Sequence, residues 1–261
     1  MKNVIPLEAT RIRDSMSLIR SADGFVVDWD GCCAIDNVLV PEAAAFLRAV
    51  QSRLVVLSNN STHMTQDIHS ILKQADIDMK AERILLAGVS AIRRAAAQGW
   101  TRVIILGSPA MKAYARQCGL EVVREEAQLV IVMRDTRLTY AALERAANCL
   151  AGGARLMLAN PDGAHRGANA RIRPETGAIF AALNAAVDLS ATPAETVGKP
   201  SPALFAEACR LLAAPPSKTI MLGDNPSTDI DGARSFGMLA LLVTPSPQAF
   251  FSLLLETLRT A

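Results

Sequence analysis

The sequence predicts an α/β protein built around parallel β-sheet. Three observations support this prediction. Short aliphatic runs recur along the 261 residues, segments with a helical spacing of apolar residues lie between them, and aromatic residues make up only 4% of the chain. Strands buried on both faces of a parallel sheet are near-continuous aliphatic runs. Strands that alternate with helices are typical of the α/β class.

The aliphatic runs and the apolar spacing give the expected elements. A helix is expected after Pro41, because proline is favourable at the first helical position. Two more helical segments cover residues 64–75 and 204–212, and the first twenty residues are expected to form a peripheral helix. The predicted strands are Phe25–Trp29, Leu54–Leu57, Val103–Leu106, Leu129–Met133, Leu156–Leu158, Ile220–Leu222 and Leu239–Val243.

Composition and charge exclude several classes of protein. Lys and Arg number 27 against 25 Asp and Glu, so the net charge of +2 gives no basic field for nucleic-acid binding. No apolar run approaches the roughly 18 residues of a membrane span, and the N-terminal residues lack the apolar stretch of a secretory signal. Five scattered cysteines without a CxxC pair indicate reduced thiols. We expect a cytoplasmic protein without nucleic-acid or membrane partners.

Two carboxylates close the first predicted strand. Asp28 and Asp30 are two residues apart and would point to the same face of a strand. Such a pair is costly unless a cation or a functional proton separates the two roles. One carboxylate can then act as nucleophile and Mg²⁺ ligand while the other donates and accepts protons. The alternative is a solvated pair in a turn.

Polar residues also follow the second predicted strand. Ser58, Asn59 and Asn60 stand where that strand ends and a helix is about to begin. A hydroxyl and amides at such a position can hold phosphate oxygens. Ser and Asn are equally favoured as helix caps and turn residues, so an ordinary turn is the alternative.

A lysine and a second acidic motif complete the pattern. Asp224 ends a predicted strand and can supply another oxygen ligand to Mg²⁺. Asp229 is placed to hold metal-bound water or a lysine, or else to cap the following helix. Lys199 is either a surface charge or the cation that neutralises these acids and a phosphoryl group. The order of these residues is more specific than any one of them.

This ordered series resembles the motifs of the haloacid dehalogenase superfamily of phosphatases, in its NagD-like or p-nitrophenylphosphatase-like branch. The similarity extends over roughly residues 23–244 and includes LSNNST, GKPSPALF and GDNPSTDIDGARSFGM. It implies a Rossmann-like core with an inserted α/β cap domain. About 140 residues separate Ser58 from Lys199, far more than one crossover helix needs. We expect the cap at 84–186 and the core at 1–83 and 187–261.

The resemblance also implies a mechanism and a Mg²⁺ cofactor. Asp28 would attack phosphorus to form an aspartyl-phosphate, and Asp30 would protonate the leaving oxygen and then activate water. Asp28, Asp224 and the backbone carbonyl of Asp30 would ligate Mg²⁺, with Asp229 behind them. The residues expected to hold the phosphoryl group are Ser58, Asn59, Asn60 and Lys199.

The cap is expected to select the substrate. Asn160, Asp162, His165 and Arg166 lie in a polar loop after a predicted cap strand, which makes them candidate specificity residues, although a surface turn explains them equally well. The expected partner is a small phosphoester. Members of this branch often dimerise through the cap, so a homodimer is a further expectation.

These observations leave three hypotheses about the function of the protein. The first is a Mg²⁺-dependent phosphomonoesterase acting on nucleotide or sugar phosphates. The second is a dehalogenase or phosphomutase; Asp30 argues against a dehalogenase, which needs no proton donor, and no feature indicates a mutase. The third is a phosphate-binding protein with a silent site.

Overall fold

The computed structural model describes residues 17–166, 171–190, 193–244 and 246–259. Its strands alternate with helices, as the sequence predicts. Of the helix expected in the first twenty residues, residues 17–21 are helical and the remainder lies outside the described residues. The strands are β1 (Gly24–Val27), β2 (Ala34–Ile35), β3 (Val38–Leu39), β4 (Leu54–Ser58), β5 (Ile84–Leu86), β6 (Arg102–Leu106), β7 (Glu121–Val122), β8 (Leu129–Val132), β9 (Arg155–Leu158), β10 (Ala164–Arg166), β11 (Ile172–Pro174), β12 (Glu195–Thr196), β13 (Thr219–Gly223) and β14 (Leu239–Leu242).

Proline or a side-chain cap marks the start of some of the helices. Pro109 and Pro41 stand at first helical positions, and the side chain of Ser108 accepts a hydrogen bond from the Met111 N–H. No helix in the described ranges is both long and apolar enough to cross a bilayer. The helices are α1 (Pro41–Val50), α2 (Thr65–Gln74), α3 (Ala87–Ala97), α4 (Pro109–Gln117), α5 (Tyr140–Ala151), α6 (Thr176–Ala186), α7 (Pro202–Leu212), α8 (Gly232–Ser235) and α9 (Pro247–Arg259).

The chain divides into two compact units. The first contains the residues up to Val56, Ile71–Arg83 and the residues from Ala208 onward; the second contains Leu57–Ser70 and Ile84–Glu207. The boundaries of these two units follow from which residues pack together, and they do not identify a core or a cap. The division into a core at 1–83 and 187–261 and a cap at 84–186 stays a prediction.

Parallel strands form the centre of the first unit. β1 lies between β13 and β4, and β14 pairs with the outer side of β13. β1 and the first unit's part of β4 are fully buried, which explains why the sequence shows them as unbroken aliphatic runs. Val27 lies beside Leu222, so the carboxyl ends of β1 and β13 reach the same edge of the sheet.

A parallel sheet also forms the centre of the second unit. Its strands stand in the order β12-β9-β8-β6-β7. The runs after residue 100 predicted β6, β8 and β9. The two-residue strands β7 and β12 at its edges were not predicted, because two residues carry no recognisable pattern. The hairpins β2–β3 and β10–β11, whose strands have two and three residues, were also too short to predict.

Three phenylalanine rings from β1, α1 and α9 pack against one another in the first unit. Phe46 of α1 lies with its ring centroid 5.4 Å from Phe25 of β1 and 5.5 Å from Phe251 of α9. All three side chains are fully buried. Aromatic pairs at such distances add to the free energy gained by burial alone.

We predict that Phe251→Ala lowers the free energy of unfolding by about 3–5 kcal/mol, because it removes buried surface and leaves a cavity. Leu253→Ala on the same helix is the matched control, since Leu253 is 43% exposed and should cost little. Urea unfolding followed by circular dichroism measures both. Equal losses in the two variants would contradict this account of the core.

Candidate active site

Three carboxylates converge at the ends of β1 and β13. Asp28 follows β1 and Asp224 follows β13, and one carboxylate oxygen from each lies within 4.8 Å of the other and of an oxygen of Asp229. Asp28 and Asp229 are buried, whereas Asp224 is exposed. The parallel pairing of the two strands therefore unites residues that are almost two hundred positions apart in the chain.

Two glycines leave the space that these carboxylates occupy. A Cβ added at Gly223 would overlap the Asp229 carboxylate. Gly31 has a φ of +84°, and a Cβ added there would lie 2.6 Å from Oδ2 of Asp224. Larger residues at either position would displace a carboxylate, so the cluster depends on glycine at both.

Asp229 is held in place by the turn that follows β13. The Asn225 N–H donates a hydrogen bond to Oδ2 of Asp229 at 3.0 Å. The Asn225 side chain accepts from the N–H groups of Ser227 and Thr228, so it caps the helical turn Pro226–Asp231. The capping role that the sequence offered as an alternative for Asp229 therefore belongs to Asn225.

The carboxylate cluster fits a hard divalent cation. Like charges this close repel one another. A cation between them would offset that repulsion. All three donors are carboxylate oxygens, the ligand type that Mg²⁺ and Ca²⁺ prefer. This donor set supports the expected Mg²⁺ site, and it includes Asp229, which was expected behind the metal ligands.

Asp30 lies two residues after Asp28, on an exposed turn. Its backbone forms a bridge with Ala34, and its side chain is exposed. Cys32 and Cys33, which follow it, are fully buried, and the Cys33 thiol donates to the carbonyl oxygen of Asp28. Burial raises the pKa of the Cys32 thiol well above its usual value, and nearby Cys33 and Asp28 raise it further. Both cysteines are thus packing residues.

A second polar cluster lies within the second unit and contains Ser58, Asn59 and Lys199. Lys199 is 1% exposed, and its ammonium donates to the carbonyl oxygen of Leu57 at 3.2 Å. The Asn59 amide donates to the carbonyl oxygen of Lys199 at 3.0 Å. Gly198 permits this approach, because a Cβ there would lie 2.5 Å from Oδ1 of Asn59. Ser58, also buried, accepts from the Asn60 N–H.

The loop after β9 is bonded to this second cluster. Asp162 accepts a hydrogen bond from the Asn59 amide at 3.0 Å. Asn160 is 1% exposed and donates to the carbonyl oxygen of Asn59 at 2.7 Å and to Thr176 at 3.2 Å. Asn60 accepts from the N–H groups of the two residues that follow Ser61. Contact with substrate by Asn60, Asn160 or Asp162 stays a prediction.

An ionic cluster that the sequence did not indicate stands next to this loop. His165 contacts the Glu175 carboxylate at 2.6 Å, and Arg134 contacts the same oxygen at 3.4 Å. Burial raises the pKa of Glu175 above its usual value, against the lowering effect of Arg134 and His165. The Arg134 N–H also donates to Ser61. Of the three residues, His165 alone was singled out from the sequence, as a candidate specificity residue. Arg166, the other candidate in this segment, is the last residue of β10.

Two family models match parts of this chain. The family model described as haloacid dehalogenase-like hydrolase matches residues 25–121, and a HAD-hydrolase-like model matches residues 196–246. Together they include both strand ends that carry the carboxylate cluster.

Relatives of known activity match most of the chain. The dihydroxyacetone phosphatase of Corynebacterium glutamicum is 26% identical over 84% of this chain and 80% of its own. The ribonucleotide monophosphatase NagD of Escherichia coli is 28% identical over 84% and 86%. Glycerol phosphate phosphatase from Mycobacterium tuberculosis in complex with magnesium superposes with a TM-score of 0.75, at 25% identity over 86% of this chain and 68% of that one.

The fold, the acidic cluster and the two family matches define a hydrolase of the haloacid dehalogenase superfamily. Within that superfamily, the chain belongs to the NagD-like branch, and it is a phosphatase.

We predict that iodoacetamide at pH 8 leaves Cys32 and Cys33 unmodified in the native protein, because the raised pKa of Cys32 keeps its thiol protonated and burial excludes the reagent. Partly exposed Cys118 and Cys149 should react. Peptide mass spectrometry measures each site, and all five cysteines should react after denaturation. Rapid native labelling of Cys32 would contradict its assignment as a packing residue.

Proposed function

We propose that the protein is a Mg²⁺-dependent phosphomonoesterase that hydrolyses small phosphometabolites through an aspartyl-phosphate. The convergence of Asp28, Asp224 and Asp229 is the observation that carries this proposal. Nucleotide and sugar phosphates are the proposed substrate class, since the relatives include a ribonucleotide monophosphatase and a dihydroxyacetone phosphatase.

Asp28 and Asp224, with the backbone carbonyl of Asp30, are the proposed Mg²⁺ ligands. When bound, Mg²⁺ supplies positive charge that offsets the repulsion among the carboxylates and the phosphoryl oxygens. Asp229 is buried and fixed by the Asn225 N–H, which suits it to orient the metal's remaining ligands. The glycerol phosphate phosphatase that superposes on this chain is in complex with magnesium, which is consistent with Mg²⁺ as the proposed metal.

Asp28 is the proposed nucleophile. One of its carboxylate oxygens attacks phosphorus, and the bond between phosphorus and the leaving oxygen breaks as the new bond forms. Asp30 gives its proton to the leaving oxygen. In the second step Asp30 takes a proton from the water that attacks phosphorus, which releases phosphate and restores the Asp28 carboxylate.

Ser58, Asn59 and Lys199 are the proposed ligands of the phosphoryl oxygens, with Asn60 contributing backbone or side-chain polar groups. Phosphoryl transfer needs alignment and charge neutralisation more than covalent chemistry. The buried Lys199 ammonium suits the second task, because a cation removed from water acts strongly on an anion. The Asn59 side chain is already fixed by its hydrogen bond to the Lys199 carbonyl oxygen, which suits it to align the phosphoryl group.

Three further assignments belong to the same proposal. Residues 84–186 act as a cap that selects the substrate, with Asn160 and Asp162 on the substrate side, over a core made of residues 1–83 and 187–261. The protein forms a homodimer through this cap. It acts in the cytoplasm, in keeping with its five free cysteines.

We predict that phosphate release from p-nitrophenyl phosphate stops when EDTA removes divalent metal and returns with Mg²⁺. Asp28→Asn should lower kcat by at least about a thousandfold, because an amide cannot act as the nucleophile. A continuous absorbance assay measures both effects.

The matched control is Asp78→Asn, the same change at an exposed carboxylate. It should keep wild-type activity. Metal-independent turnover, or an active Asp28→Asn protein, would refute the proposed chemistry.

We predict that Asp30→Asn accumulates a phosphorylated protein when it is mixed with p-nitrophenyl phosphate. The nitrophenolate leaves without a proton, so the first step survives, whereas the second step loses its base. Acid quenching and intact-protein mass spectrometry should show one added phosphoryl group, mapped by peptide analysis to Asp28. No such adduct in Asp30→Asn would contradict the proposed two-step course, and an adduct at another residue would show that Asp28 is not the nucleophile.

A further inference from the structure

A cavity of about 460 Å³ lies within the second unit, on its five-stranded sheet. It is lined by residues from the end of β6, from α4, from the end of β7 and from the loop and helix that follow β8. Cavities of about 300–1,000 Å³ hold small organic ligands. Neither the carboxylate cluster nor the Lys199 cluster contributes to its lining, so the proposed catalytic residues do not account for it.

The topology of the sheet places this cavity where parallel sheets bind ligands. In chain order the strands are β6, β7, β8, β9 and β12, and the order in the sheet is β12-β9-β8-β6-β7. The connection from β6 runs to one side and the connection from β8 runs to the other. This is the flavodoxin-like arrangement, whose ligand crevice lies at the carboxyl ends of the two strands where the direction changes. Leu106 ends β6 and Asp135 follows β8, and both line the cavity.

The lining carries a large excess of positive charge. Five of its side chains are cations, and Asp135 is the acid among the lining residues that the structure describes. Asp135 lies 3.8 Å from the ammonium of Lys112 and so offsets one cation. Across the described residues, no carboxylate is within ion-pair distance of the four arginines of the lining. These cations are Lys112, Arg116, Arg124, Arg137 and Arg145.

The arginines come from different elements and face one space. Arg116 lies on α4, one turn after Lys112, and Arg145 lies on α5. Arg124 follows β7, and Arg137 belongs to the loop after β8. Guanidinium groups bind phosphate oxygens through paired N–H donors, and like-charged groups brought together favour an anion between them. Because these arginine side chains come from separate elements and line one cavity, they differ from a run of charge along one exposed helix face.

The floor of the cavity is apolar. Ile104 and Leu106 of β6, Val122 of β7 and Ala142 of α5 contribute to it. Apolar side chains of this kind contact the carbon skeleton or ring of an organic ligand, while the polar groups fix its orientation. An organic anion can contact both the apolar and the cationic side chains of the lining, whereas a bare inorganic ion can use only the cationic ones.

We propose that this cavity binds a small organic anion that carries two or more phosphate groups. Four arginines without carboxylate partners exceed what one phosphate can neutralise, and the apolar floor accepts the organic part. The site requires neither a metal nor the proposed catalytic residues, so it stands or falls separately from the proposed function.

The test is isothermal titration calorimetry with ATP and with inorganic tripolyphosphate, in EDTA so that no divalent metal takes part. The intact wild-type protein should bind ATP with one site and bind tripolyphosphate more weakly. Added salt should weaken both, because the attraction is between charges. No detectable binding of ATP at millimolar concentration would overturn the proposal.

The variant Arg137→Gln/Arg145→Gln removes two of the cations and should weaken ATP binding at least about tenfold, since each lost charge contact reduces affinity. Arg155→Gln is the matched control, because Arg155 is exposed on β9 and does not line the cavity. It should bind as the wild type does. If the double variant fails to fold, Arg124→Gln on the exposed segment after β7 replaces it.

Ser58→Ala separates this site from the proposed phosphoryl site. It should leave ATP binding within about twofold of wild type, a difference near the limit of measurement. If Ser58→Ala loses as much affinity as Arg137→Gln/Arg145→Gln, or if the double variant binds ATP as the wild type does, the anion binds elsewhere and the proposal is wrong. Phosphatase activity toward p-nitrophenyl phosphate, measured in parallel, reports on the proposed function alone.

Discussion

Electrostatic repulsion among three converging carboxylates is the constraint on which the chemistry of this protein depends. Asp28, Asp224 and Asp229 have oxygens within 4.8 Å of one another, and two of the three are buried. Negative charges held this close repel one another, and a cation between them would offset that repulsion. The fold enforces the arrangement through the pairing of β1 with β13 and through the space that Gly31 and Gly223 leave.

The sequence predicts the framework of this arrangement well, because buried parallel strands have a composition of their own. Runs such as Phe25–Trp29 and Ile220–Leu222 correspond to β1 and β13, and acids that follow such strands belong at the carboxyl edge of a sheet. What the pattern alone does not contain is which strands are neighbours. The family resemblance supplied that step, by implying that Asp28 and Asp224 share a metal, and the strand register now gives its physical basis.

Polar contacts between distant residues were the least predictable part. The bond between Asn59 and Asp162 joins positions about a hundred residues apart, and no local pattern distinguishes it from two surface turns. The ion pairs of Glu175 with His165 and Arg134 arise in the same way, from elements that meet only in the folded chain. The basic cavity on the second sheet is a further case. Its arginines are scattered in sequence, and a net charge of +2 conceals their convergence.

A crystal structure of the protein grown with Mn²⁺ and orthovanadate tests the central claim most directly, because anomalous scattering locates the manganese without assumption. The account predicts one ion ligated by carboxylate oxygens of Asp28 and Asp224, with vanadate bound to Asp28 and contacted by the Lys199 ammonium. An anomalous peak away from these two aspartates, or vanadate bound at a distance from Asp28, would contradict it.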